Sequence, residues 1–107
     1  MGDKGWKAFE RRVARIFGGE RRGADFGDAR GGKTDVIHDH FAIECKLLAR
    51  PTYQQMLDAC LQAEAASEPL QEPVAVVKRK RQGSPDGDAL VVMRLETFAA
   101  WRLSDGD

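Results

Sequence analysis

In the stretch 41-FAIECKLL-48, apolar Phe41, Ile43, Cys45 and Leu47 alternate with Ala42, Glu44, Lys46 and Leu48. A period of two marks a strand, whose successive side chains point to opposite faces of a sheet. One face here is apolar throughout, so the strand belongs against a core. The other face carries a carboxylate and an ammonium two residues apart, framed by Ala42 and Leu48. Any fold this chain adopts must present Glu44 and Lys46 on one surface of a sheet.

The segment before it, Asp35–His38, reads as a hairpin partner joined through a tight turn near Asp39. His38 and His40 straddle that turn with no third imidazole in the chain, which reads as a solvated turn rather than a metal cluster. Upstream, Lys4–Phe17 has helical periodicity, with Asp3 as its cap and 18-GG-19 as a left-handed stop. Trp6, Phe9, Val13, Ile16 and Phe17 form its expected inner stripe, and Arg11, Arg12 and Arg15 point away. Residues 20–34, with four glycines and little apolar content, read as a loop or weak edge strand.

Past Pro51, Thr52 opens a helix to Ala66, with Tyr53, Met56, Leu57, Cys60 and Leu61 as its expected inner side. Pro73 introduces VAVVKRKR, a strand with a buried first half and a basic second half that reads as an exposed, edge-protecting end. A turn at 83-GSPDG-87 leads to a strand over ALVVMRL, and Glu96–Leu103 closes the chain as a short helix before a frayed 104–107 tail. The order α-β-β-(β)-α-β-β-α predicts an α/β (α+β) fold, a mixed central sheet flanked by helices. At 107 residues this is one domain, 1–107.

Function classes narrow quickly. Nothing approaches the roughly 18 apolar residues of a membrane span, and the N-terminus lacks a secretory pattern. Cys45 and Cys60 form neither a CxxC pair nor a disulfide framework, which suits a reducing compartment. Ser67 and Ser84 have no base nearby in sequence, and the glycine loop 18–32 lacks the G-K-[ST] ending of a phosphate-binding loop. Net charge is zero, yet residues 1–22 hold Lys4, Lys7, Arg11, Arg12, Arg15, Arg21 and Arg22 against Asp3, Glu10 and Glu20. The acids collect in 58–72, so a local basic field survives overall neutrality.

Asp35 opens one strand while Glu44 and Lys46 sit within the next. Cross-strand neighbours on one face approach to about 4.5–5.5 Å at Cβ, and carboxylates that close repel unless a cation neutralises them. Oxygen-only ligands suit Mg²⁺ or Mn²⁺, with Lys46 placed to orient a water or stabilise a pentavalent transition state. Glu10, at the edge of the Trp6–Val13–Phe17 stripe, is the third acid able to reach the sheet.

The succession of a helix with Glu10, a glycine-rich loop, Asp35 at a strand start and then 44-ECK-46 resembles the PD-(D/E)XK nuclease superfamily, most nearly its archaeal- and phage-type Holliday-junction resolvases. The likeness is carried by 5-GWKAFERRVARIFGGERRG-23, 31-GGKTDVI-37 and 41-FAIECKLL-48. From 49 to 103 it rests on element order and on 73-PVAVVKRK-80. Thr34 stands where the superfamily's name expects proline.

The resemblance implies a restriction-endonuclease-like αβββαβ core. It implies Asp35 and Glu44 as principal ligands of Mg²⁺ (Mn²⁺ as substitute), Glu10 as an additional acid, and Lys46 as the catalytic lysine. Lys7, Arg11, Arg12, Arg15, Arg21, Arg22, Arg30 and Lys33 become expected phosphate contacts on branched or double-stranded DNA, with Gln62 on the second helix as a further candidate. A homodimer in a bacterial cytoplasm, nucleoid-associated and encoded by the host or by a phage, completes the expectation. A restriction- or repair-type endonuclease acting on duplex DNA, and a non-catalytic DNA-binding module, remain the alternatives.

Overall fold

The computed structural model describes residues 2–22, 34–80 and 86–103. Arg30, Lys33, Arg81, most of the expected 83–87 turn and the 104–107 tail lie outside the described residues. The elements run α1 (Gly2–Phe17), β1 (Glu20–Arg21), β2 (Val36–Ile37), β3 (Phe41–Leu48), α2 (Tyr53–Ala66), β4 (Glu72–Arg79), a 3-10 turn at Asp86–Asp88, β5 (Leu90–Val92), α3 (Leu95–Phe98) and a π turn at Ala99–Leu103. One mixed sheet runs β1-β2-β3-β4-β5. Only β3 and β4 are parallel, in the register Ile43↔Val74 and Cys45↔Val76, with α2 as their crossover.

The alternation in β3 sorts its side chains between two cores. Ile43 and Cys45 join Val74 and Val76 of β4 and Phe9, Val13 and Ala14 of α1 on one face. Ala75 and Val77 meet Ala59 and Cys60 of α2 on the other, with Leu48 packed alongside. A helix thus covers each face, which is the expected architecture. Near-continuous burial of β4 from Val74 to Lys78 fits a central strand covered on both sides. Lys78 corrects part of the reading of an exposed basic strand end, because it is 4% exposed within that interior strand, while Arg79 and Lys80 are exposed as expected.

Helix α1 begins at Gly2, so Asp3 lies inside its first turn rather than capping it. The expected inner stripe is also rotated. Phe9, Glu10, Val13 and Ala14 are buried, while Trp6 is 40% and Ile16 76% exposed. The same rotation occurs in α2, where Ala59, Cys60 and Ala63 face the sheet and Tyr53 and Leu61 face solvent. Alanines let a helix lie close to a sheet, and bulky residues at the stripe's margin are then left outside. Thr52 caps α2 as expected, in a capping box closed by Gln55.

The two glycines after α1 have separate tasks. Gly18 takes φ +78°, and a Schellman closure forms through Gly18 N–H to Arg15 O (3.2 Å) and Gly19 N–H to Ala14 O (2.8 Å). Gly19 then passes so near β2 that a Cβ there would lie 2.3 Å from the Ile37 carbonyl oxygen. The β2–β3 turn is not simply solvated. His38 is half-buried; its Nδ1 accepts from the His40 and Phe41 amides (2.9 and 3.2 Å) and its Nε2 lies 2.9 Å from Phe17 O. The last expected strand is shorter than read, only Leu90–Val92, and the closing helix begins at Leu95.

Candidate functional site

Four side chains from three elements meet where α1 crosses the β2–β3 hairpin. Glu10 comes from α1, riding the same turns as Phe9 and Val13, and is drawn to 1% exposure by their burial. Asp35 sits just before β2. The antiparallel pairing Val36↔Ile43 sets it beside Glu44, on the stretch of β3 that also carries Lys46.

Asp35 is held by backbone on three sides. Its N–H donates to Ile43 O (3.1 Å), its C=O accepts from the Arg22 N–H (2.8 Å), and its Oδ2 accepts from the Cys45 N–H (2.8 Å). Thr34 is buried and donates its hydroxyl to Val36 O at 2.9 Å, a bond that bridges Asp35. Lys46 Nζ lies 3.4 Å from Glu44 Oε2, as two β3 side chains on one face should.

Glu10 has a partner the sequence reading missed. The Schellman turn sends the chain back along β2 with Arg21↔Val36 in register, and Arg21 Nε meets Glu10 Oε1 at 2.8 Å. The Arg21 guanidinium also lies 5.9 Å from the centre of the Trp6 ring. The turn-forming 18-GG-19 followed at once by 20-ERR-22 was the available signal. Among the described residues no donor reaches the buried Glu10 Oε2, and the Asp35 carboxyl lies within hydrogen-bonding reach of Glu10.

All three carboxyls are pushed above their ordinary values. For Glu44 burial is the main cause, followed by the Asp35 charge, and Lys46 only partly opposes them; the result is about 7. Burial raises Asp35 against the Cys45 hydrogen bond and the charges of Lys46 and Arg21. Burial and then Asp35 raise Glu10, outweighing Arg21. Desolvation and mutual repulsion together outweigh what Arg21 and Lys46 supply, so each carboxyl holds its proton more readily than an isolated one unless further positive charge is added.

Among the described residues no three His, Cys, Asp or Glu side chains form a ready-made cage for a metal ion. The donors present still fit Mg²⁺. They are all hard oxygens, one of them buried and unsatisfied, and Mg²⁺ is usually held through one or two carboxylates with waters and substrate phosphates completing its shell. A rigid all-protein cage is not its habit.

The expected phosphate contacts separate into groups. Arg11 and Arg15 are exposed and Lys7 half-exposed. Arg12 instead borders the apolar groove between α1 and β5, with Phe9, Val13, Ile16 and Val91. Arg21 is taken up by Glu10, and Arg22 Nε donates to Thr34 O at 2.7 Å. Gln62 is exposed on α2. The α2 residues packed on the sheet are Ala59, Cys60 and Ala63.

No family model, curated protein or solved structure matches this chain. No described helix is long and apolar enough to cross a membrane.

Proposed function

We propose that the chain is a Mg²⁺-dependent, structure-selective DNA endonuclease of the PD-(D/E)XK type that resolves four-way junctions by phosphodiester hydrolysis. The observation that carries this reading is the buried, unpartnered Glu10 Oε2 beside Asp35 and Glu44, an acidic site short of positive charge. A structural ion pair has no use for an orphaned carboxylate oxygen; a cation-binding site does.

In this mechanism Asp35 and Glu44 would hold the metal, with Glu10 reaching it directly or through water. A bound divalent ion lowers the pKa of water and offsets charge on phosphate oxygens. Backbone bonds to Asp35 would keep its carboxylate in a fixed direction as charge builds on the phosphate. Lys46, on the same face as Glu44, orients the attacking water and stabilises the pentavalent phosphorane with its ammonium. Arg11, Arg15 and Lys7 contribute sequence-independent phosphate contacts along α1. A two-fold pair of chains would set two such sites on opposing strands of a junction.

The test incubates labelled four-way junctions, duplexes and single strands with Mg²⁺ or Mn²⁺, beside an Asp35→Asn control. Paired symmetric nicks confined to junctions are expected. Cutting of plain duplex would move the reading to a restriction- or repair-type enzyme, and tight binding without cutting to an inactive module.

A further inference from the structure

We propose that Arg21 is the built-in counter-ion of the acidic site, a guanidinium that competes with the divalent cation for Glu10 and passes to a substrate phosphate once the cation is bound. This rests on the nuclease reading above and assigns a positioning and regulatory role to a residue outside the acid–lysine set.

A second glutamate–arginine pair in the same molecule shows what a permanent bridge looks like. Glu64 Oε2 accepts from Arg94 Nε (2.7 Å) and Thr97 Oγ1 (2.8 Å), and Oε1 accepts from Arg94 Nη2 (2.9 Å). Both oxygens are filled and the guanidinium binds as a fork, the strong geometry for this pair. Glu10 is more deeply buried, with 2% side-chain exposure against 23% for Glu64, yet it receives one arginine bond, through Nε alone. Among the described residues no donor reaches its other oxygen, and its remaining close polar neighbour is the Asp35 carboxyl, itself an acid. The more buried acid has the poorer partner. That is the wrong way round for a structural pair and the right way round for a placeholder.

Arg21 is also placed to leave. Its side chain retains 20% exposure where that of Glu10 retains 2%. It comes from a two-residue strand at the sheet's edge, not from a helix. Trp6, 40% exposed, offers its ring beside the guanidinium, so a cation released from Glu10 still has an aromatic face to lie against. Movement outward carries the fork toward the rim of the site, where a phosphate held near the carboxylates would sit. Arginine's planar fork matches phosphate oxygens in pairs, a geometry that its single bond to Glu10 does not use.

The experiment measures Mn²⁺ binding to the DNA-free protein by the paramagnetic resonance of free Mn²⁺, comparing wild type with Arg21→Gln, Arg21→Lys and Asp35→Asn. Arg21→Gln is expected to bind Mn²⁺ about tenfold more tightly than wild type, as removal of a neighbouring positive charge requires. Arg21→Lys keeps the charge and stays near wild type, whereas Asp35→Asn loses binding. At saturating Mn²⁺, Arg21→Gln cleaves junctions more slowly although its metal is tighter bound; a purely structural role would weaken both. Equal or weaker Mn²⁺ binding by Arg21→Gln, with Asp35-dependent binding intact in wild type, overturns the proposal and leaves the nuclease reading standing. Absence of any Asp35-dependent binding in wild type overturns the nuclease reading itself. Wild-type NMR gives an independent answer if Arg21→Gln fails to fold. The Arg21 Nε–H resonance must move, and its solvent exchange quicken, on saturation with Mg²⁺; an unmoved resonance on a Mg²⁺-bound protein overturns the proposal.

Discussion

The Oδ2 atom of Asp35 accepts a 2.8 Å hydrogen bond from the backbone amide of Cys45, the residue between Glu44 and Lys46. One short bond therefore ties the acid that precedes β2 to the strand carrying the other two groups, and fixes the three as a unit. It also explains how a carboxylate pushed upward by burial tolerates its position, since a backbone N–H favours its charged form.

Replacing Asp35 by Asn keeps an oxygen able to accept from Cys45 and removes the charge that repels Glu10 and Glu44. On the proposed nuclease reading, metal-dependent cleavage should fall at least about a hundredfold, since that reading makes Asp35 a principal ligand. Stability should hold or rise, because functional sites store repulsion that a neutral isostere releases. Urea denaturation read beside the cleavage assay checks both halves. A large loss of stability in Asp35→Asn would assign this carboxylate to the fold instead.

The pH profile follows from Glu44, whose carboxyl is raised from an ordinary 4.5 to about 7. Between those values the folded protein holds a proton that the unfolded chain has released, so stability falls as pH rises through this window. At about 1.4 kcal/mol per pH unit the shift sets an upper bound of about 3.5 kcal/mol, which solvent screening of the partly open carboxyl lowers. Asp35 and Glu10, also raised, act in the same direction. Glu64, held low by Arg94, loses its contribution only below its ordinary 4.5, so it leaves this window flat. Urea midpoints without divalent ions should be higher at pH 5 than at pH 8. Mg²⁺ should restore most of the difference at pH 8, and Glu44→Gln should flatten the profile.

How far the sequence revealed this site depends on which interaction sets each residue. The β3 alternation was readable because a period of two leaves no choice of face, and Asp35, Glu44 and Lys46 followed from it. The caps were readable at Thr52 and Gly18 for the same reason, since their backbone requirements are local. The rotation of α1 was not. Trp6 and Ile16 are as hydrophobic as Phe9, and only the sheet decides which of them it touches. That rotation moved Glu10 from a boundary to full burial. The Arg21–Glu10 pair spans eleven residues and depends on a turn and a strand register together, so no spacing rule would have found it. Lys78 looked like a solvated basic run, but the parallel β3–β4 register makes its strand central.

The clamp between α2 and the C-terminal segment provides a control away from the acidic site. Arg94 and Thr97 together satisfy both oxygens of Glu64 and hold the start of α3 against α2. Arg94→Ala should lower the urea midpoint only slightly, because the pair is partly open to water. It should also speed amide exchange in residues 95–103, while Mn²⁺ affinity stays at the wild-type value. Altered Mn²⁺ affinity would mean that the C-terminal segment supports the site.

The glycine pair after α1 separates backbone strain from site geometry. Gly18→Ala places a Cβ in open space but at φ +78°, a left-handed conformation costing about 1–2 kcal/mol for an L residue. Gly19→Ala has no such strain and instead sets its Cβ 2.3 Å from the Ile37 carbonyl, where backbone must yield. Yielding there moves α1 away from β2, and with it Glu10 from Asp35 and Arg21 from its register with Val36. The two variants should therefore diverge. Gly18→Ala lowers the urea midpoint yet binds Mn²⁺ as wild type does, whereas Gly19→Ala loses Mn²⁺ affinity beyond any loss of stability. Equal Mn²⁺ affinity in both would mean that the site does not depend on the approach of α1 to β2, and Glu10 would then have to be removed from it.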